Sequence, residues 1–312
     1  MKKFLGLLLL LLVPVLMTQR LSTLDCGALR NWVTSRSSKV IRVGVEWPFE
    51  ANQDGMEEAL RLAQEELNAQ GVKGRRIELV MRDDHLDPEE ARKIAIDFAT
   101  DPRMDAVVGC YDDSYAVRAS ALFEQSRLLH IVAGANNSYM TSHGFQYLIR
   151  SVVANDKIGP SLARMCLGLG YHTYALISEK GNFGEDLSCQ FANELDAHNA
   201  RVVYLSSYVR GQTDFRGIVN DLKMSGADMI LVAGFDSETA AFIRTARDLG
   251  LETPILGSFN DTAEVHAIAG RALEGVMTYD LWDVDSPSKE SRAFVAKYRA
   301  RYHKDPTSSS AQ

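Results

Sequence analysis

The sequence predicts an α/β protein of two doubly wound, Rossmann-like lobes. Three observations carry that expectation. Short apolar runs of strand length alternate with stretches of helical periodicity from about residue 40 to residue 302. The alternation breaks at Ser151–Asp156 and then restarts, giving two successive sets of strands. The stretch Asp105–Thr141 reads as strand, loop, helix, strand, loop, with strands at Ala106–Val108 and Leu128–Val132 and with Val117, Ala121 and Leu122 at helical spacing between them. Two short strands joined by a helix form a βαβ unit and hence a parallel sheet. Ligands of such sheets sit beyond the carboxyl ends of the strands, where helix N-termini present backbone N–H groups. The loops there are Asp112-Asp113-Ser114 and Gly134-Ala135-Asn136-Asn137-Ser138.

The elements follow in order. Val40–Val45 is the first strand, then a loop, Glu46-Trp47-Pro48-Phe49, and a helix from about Asp54 to Asn68. Its apolar face is Met56, Ala59, Leu60, Leu62 and Ala63, and Gly71 is placed to end it as a left-handed cap. Ile77–Met81 is the second strand. Asp87 reads as the N-cap of the next helix, Pro88 as its first residue, and Glu89 and Glu90 as acids at its positive end. That accounts for the acid cluster from Asp83 to Glu90 without a metal. Tyr147–Arg150 is a strand before the crossing. The second set begins with helix Ile158–Leu169, strand Thr173–Ile177, loop Glu179–Gly184, helix Glu185–His198 and strand Arg201–Leu205. Thr213 or Asp214 caps a further helix. Strand Asp228–Val232, loop Gly234-Phe235-Asp236, helix Ser237–Asp248, strand Pro254–Leu256 and loop Gly257–Asp261 follow. A short helix, a strand at Gly275–Tyr279 and a last helix at Ser286–Tyr302 complete the pattern.

With 312 residues the chain has room for two domains of ordinary size. Its 46% apolar and 24% charged content is that of a folded globular protein. A formal net charge of −7 without a basic cluster argues against a nucleic-acid partner. Lys2-Lys3 precede an apolar run, Phe4–Met17, which has the form of a secretory leader and is short for a spanning helix of roughly 20 residues. No A-x-A site follows, and Asp25 before Cys26 suits a lipoprotein site poorly, so an uncleaved anchor is the alternative. Either way the remainder is expected to be exported, periplasmic or extracellular, with residues 18–38 as a linker. Cys26, Cys110, Cys166 and Cys189 show neither C-x-x-C nor zinc spacing. Three buried, unpaired thiols are expected, the alternative being a Cys166–Cys189 disulfide.

Catalytic patterns are missing. The sequence contains no G-x-G-x-x-G, P-loop, H-E-x-x-H or G-x-S-x-G. Its 7 histidines do not cluster at catalytic spacing. The paired acids Asp83-Asp84 and Asp112-Asp113 are loop neighbours that rarely converge on one atom, so capping and ligand contact are expected of them rather than acid–base work. No enzymatic activity, cofactor or metal is expected.

Several segments carry a family resemblance. They are Glu65-Glu66-Leu67-Asn68-Ala69-Gln70-Gly71, then Arg82-Asp83-Asp84 with Asp87-Pro88, Val107-Val108-Gly109, Thr213-Asp214-Phe215, and Gly226-Ala227-Asp228 leading into Gly234. In order and spacing, over about residues 40–305, the chain resembles the periplasmic type I solute-binding proteins, in particular the branched-chain amino-acid (Leu/Ile/Val) binding group of ABC transporters. The resemblance implies two lobes joined by a hinge of three crossings. One lobe would be residues 39–152 with 280–312 and the other 153–279, after an N-terminal segment of 1–38. The third crossing and the last elements of the second lobe would lie beyond Gln312.

The resemblance also implies a site. The ligand carboxylate would be held by the first lobe's loops, at Asp113 or Ser114 and at Gly134, Ala135 and Asn136. The ammonium would face Phe183, Phe235 and the Phe259-Asn260-Asp261 stretch. This chain departs from the pattern. Asp113 stands where a hydroxyl is expected and would repel a carboxylate. Phe183 and Phe235 lack the hydroxyls of the family's tyrosines. Phe259 replaces an acid, for which Asp261 or Asp236 can stand in. With Trp47, Tyr111 and Tyr115 the site would be aromatic, suiting an aromatic, apolar or cationic ligand. The expected function is capture of an amino acid or an aromatic or apolar analogue for an ABC-transporter permease. The alternative is a ligand-sensing domain of a membrane receptor or kinase.

Overall fold

The computed structural model describes residues 39–52 and 54–312; the leader, the linker and Cys26 lie outside the described residues. Two parallel sheets organise the chain. The first orders its strands β2-β1-β3-β4-β5, with β1 at Val40–Trp47, β2 at Arg76–Asp83, β3 at Ala106–Val108, β4 at Leu129–Val132 and β5 at Leu148–Arg150. The second runs β7-β6-β8-β9, with β6 at Thr173–Glu179, β7 at Arg201–Tyr208, β8 at Met229–Ala233 and β9 at Ile255–Gly257. The described helices include α1 (Met56–Gln70), α2 (Pro88–Thr100), α3 (Asp113–Gln125), α4 (Asn155–Gly168), α5 (Asn182–Ala197), α6 (Arg216–Ser225), α7 (Asp236–Asp248), α8 (Ala263–Ala269), α9 (Lys289–Tyr302) and α10 (Ser308–Ala311).

Burial follows strand periodicity. Along β6, Ala175 and Ile177 enter a core with α6 and α7, while Tyr174 and Leu176 enter another with α4 and α5. Both faces of the sheet are thus covered at its inner strands, which is why β6 and β8 read as apolar runs. In the first sheet, α2 and α3 supply Ile94, Phe98, Ala116 and Phe123 over Val107 and Val132. On α2, Asp87 accepts from the N–H groups of Glu89 and Glu90, with Pro88 in the first turn. After β5 the chain crosses to the second sheet, and α9 returns to α1. There Lys297 pairs with Glu66 at 2.8 Å, and the Tyr302 hydroxyl donates to the Glu58 carbonyl at 2.8 Å.

Three expectations are corrected. The strand expected at Gly275–Tyr279 reduces to one bridge, Met277 to Leu256, where Met277 exchanges backbone hydrogen bonds with Ile255 and Gly257 and Thr278 Oγ1 donates to the Phe259 carbonyl. Strand β1 runs on through Glu46 and Trp47 in place of the expected loop; both pair with β2 and both are buried. Cys110, Cys166 and Cys189 are unpaired as expected, but of the three only Cys110 and Cys166 are buried; Cys189, on α5, is exposed.

Candidate ligand-binding cleft

In each sheet the strand order reverses between the first strand and the third, at β1/β3 and at β6/β8. The loops diverge there and leave a crevice at the carboxyl ends. The two crevices face each other across a cavity of about 130 Å³. From the first sheet it is lined by Trp47, Tyr111, Asp113, Gly134 and Asn136; from the second by Phe183, Phe235, Asp236 and Phe259.

Local geometry explains these positions. Trp47 ends β1 and is buried, its ring edge-on to Tyr111 with centroids 5.3 Å apart. It fits because residue 134 is glycine: a Cβ there would lie 2.6 Å from the indole and 2.9 Å from the Cys110 carbonyl. Gly109, at φ 140°, turns the end of β3 where a Cβ would meet the Glu46 carbonyl at 2.4 Å. Opposite, Phe183 and Phe235 are 5.7 Å apart. The Arg210 guanidinium lies 4.1 Å from the Phe235 centroid and donates to Asp112 at 2.6 Å, tying the second sheet to the first.

Charge inside the cleft is acidic. Asp112 caps α3 by accepting from the Ser114 N–H. Asp113, 3% exposed, accepts from the Asn137 N–H at 3.1 Å through Oδ1, while its Oδ2 is buried without a hydrogen bond. Burial pushes the Asp113 carboxyl up to about 7; the Asn137 and Asn136 N–H groups and the Arg150 charge oppose this, and Asp112 adds to it. Behind it, the Cys110 thiol donates to Glu46 at 3.2 Å. Burial raises Glu46 to about 8, against the Cys110 contact, with Asp84 and Asp112 adding to the rise. Asp236 accepts from the Asn260 N–H at 3.0 Å and is also raised by burial.

Four of the expected residues do not line the cavity. Ser114 sits in the first turn of α3, its N–H on Asp112. Ala135 is buried and its carbonyl accepts from Arg150 at 2.8 Å. The Asp261 side chain is 76% exposed and pairs with His266 at 2.6 Å, so Asp236 rather than Asp261 faces the cavity. Tyr115 points elsewhere, its hydroxyl on the Leu86 carbonyl at 2.7 Å. Sequence reasoning missed Tyr279, Asp280, Ser258, Ser308 and Ser309 in the lining, and Arg210 behind it. The legible signals were Glu46, an acid inside the apolar run of β1, and Arg210, a cation between the end of β7 and Gly211.

Comparisons with known proteins agree with this architecture. The model of a family described as periplasmic binding protein matches residues 46–312. The leucine-specific-binding protein of Salmonella typhimurium is 30% identical over 220 residues, 70% of this chain; the match spans 59% of that protein's length. The leucine-, isoleucine-, valine-, threonine-, and alanine-binding protein of Pseudomonas aeruginosa is 26% identical over 300 residues, 93% of this chain and 79% of that one. A crystal structure of an ABC transporter substrate-binding protein from Desulfitobacterium hafniense in complex with Leu superposes with a TM-score of 0.75 at 25% identity, covering 87% of this chain and 80% of that one. The resemblance drawn from the sequence holds for family and fold.

Proposed function

The chain belongs to the periplasmic binding protein family, and from that premise we propose that it is an extracytoplasmic solute-binding protein. It captures a small molecule, an amino acid or an aromatic or apolar analogue, and presents it to the permease of an ABC transporter. The observation that supports this is the cavity between two sheets, lined from both by loops at the carboxyl ends of strands. The lobes proposed are residues 39–152 with 280–312, and 153–279; the return of α9 to α1 favours that division. Ligand capture is a hinge closure of one lobe on the other. No covalent step is invoked.

The test is a thermal-shift screen of the protein against amino acids, aromatic acids, amides and polyamines. A ligand at ~100 times its Kd adds about 2.7 kcal/mol of stability. A saturable rise in Tm with one compound class is expected. No shift across the panel, from protein whose circular dichroism shows it folded, overturns the reading.

A further inference from the structure

We propose that the cleft takes an organic cation, an amine without a carboxylate, and that Asp113 is its counter-charge. This deepens the solute-binding reading and rests on it. The first observation is Asp113 itself. It is 3% exposed, lines the cavity and leaves Oδ2 buried without a hydrogen bond. Buried carboxylate oxygens are ordinarily satisfied, and an ammonium in the cavity supplies the missing donor. Asp113 Oδ1 meanwhile occupies the Asn137 N–H, a group that a bound anion would need.

The second observation is the charge balance. The acidic side chains lining the cavity are Asp113, Asp236 and Asp280; among the described residues no lysine, arginine or histidine lines it. The neighbouring cations are engaged elsewhere. Arg150 donates to the carbonyls of Ala135 and Asn137 at 2.8 and 2.6 Å, and Arg210 donates to Asp112. A carboxylate ligand would lie among like charges with no cation in the lining, Arg150 standing behind it with its Nε unpartnered. Asp236 is already bonded to Asn260 and Asp280 to the Leu281 N–H, which leaves Asp113 as the lining acid with a buried oxygen lacking a hydrogen bond. The third observation is the wall. The rings of Trp47, Tyr111, Phe183 and Phe235 line the cavity, an aromatic wall that suits an apolar body or a cation.

The test is titration calorimetry of the whole chain at pH 7.5 with four probes of comparable size: benzylamine, benzyl alcohol, benzoate and L-leucine. Benzylamine is expected to bind at least tenfold more tightly than the other three. Asp113→Asn keeps the shape and the Asn137 contact but removes the charge, and it should weaken benzylamine at least tenfold. Asp113→Ser should do the same. Should both variants misfold, the ranking on the wild-type protein still decides. Benzoate, leucine or benzyl alcohol binding as tightly as the amine would overturn the cation reading and leave solute binding standing. So would silence from all four probes alongside a thermal shift from another compound class. Silence from every compound in both experiments overturns both readings. Undiminished benzylamine binding by a folded Asp113→Asn overturns the role of Asp113.

Discussion

Arg210 and Asp112 stand on different sheets and meet at 2.6 Å, while the same guanidinium covers the Phe235 ring at 4.1 Å. Asp112 is 3% exposed on its side chain and Arg210 41%, so the pair is half sheltered. It joins the cap of α3 to the loop after β7.

Arg210→Ala should therefore loosen the contact between the sheets. The expected loss is about 1–2 kcal/mol of stability, above a typical exposed pair because Asp112 is left buried without its counter-charge. Arg210→Lys should restore little of it, since a lysine cannot reproduce the planar stack on Phe235. Thermal melts at low and high salt check this: a melt that Arg210→Ala leaves unchanged would show that the pair does not couple the sheets.

Gly134→Ala tests the packing of the cleft wall. The added methyl would meet the Trp47 ring at 2.6 Å and the Cys110 backbone carbonyl at 2.9 Å, and the backbone cannot retreat freely. Overpacking of this kind costs about 1–3 kcal/mol. Tryptophan fluorescence should report a moved Trp47, and denaturant unfolding the lost stability. A Gly134→Ala variant as stable as wild type, with an unchanged spectrum, would refute the tight approach.

Thiol chemistry separates the cysteines. Cys189 is exposed, and Cys110 and Cys166 are buried. Burial raises the Cys110 thiol well above its usual range, reinforced by the adjacent Glu46, so it is a poor nucleophile in the native state. Native labelling with a thiol reagent should fall by one equivalent in Cys189→Ser, and Cys110 and Cys166 should react only on unfolding. Native labelling that Cys189→Ser leaves unchanged would contradict its exposure.

What was legible in the sequence divides along physical lines. The inner strand β8 of the second sheet is buried on both faces, so Met229–Ala233 reads as a strand from its apolar run alone. Asp87-Pro88 reads as a helix start because capping is local chemistry. Trp47, Phe183 and Phe235 were placed by family spacing, and all line the cavity. Asp261 and Ala135 could not be sorted from their neighbours, because which residue of a loop turns inward is set by tertiary hydrogen bonds such as Arg150 to Ala135. Arg210 was visible as a cation but its partner was not, and Tyr279 was hidden for the same reason. Their partners, Asp112 and Asp113, are far away in the chain and come close only when the two sheets do.

The buried acids set a pH dependence whose sign is fixed. Burial raises Glu46 to about 8, Asp113 to about 7 and Asp84 to about 6, whereas unfolded carboxyls titrate near pH ~4. The folded protein therefore keeps protons that the unfolded chain releases. The stability these groups contribute is fully present below about pH 4 and is lost as pH rises through about 6 to 8. Glu46 faces Cys110, Asp84 and Asp112, and it has the largest rise of the three. Glu46→Gln removes the titrating proton while leaving an oxygen for the Cys110 thiol. The variant should match wild type near pH ~5 and exceed it at pH ~8, by on the order of 1–3 kcal/mol. Urea unfolding of the ligand-free proteins across that range measures the difference between them, which cancels the titration of the shared surface groups. A variant curve that runs parallel to wild type throughout would mean Glu46 is ionised in the fold, and the acid cluster would need a counter-charge that the cleft does not otherwise supply.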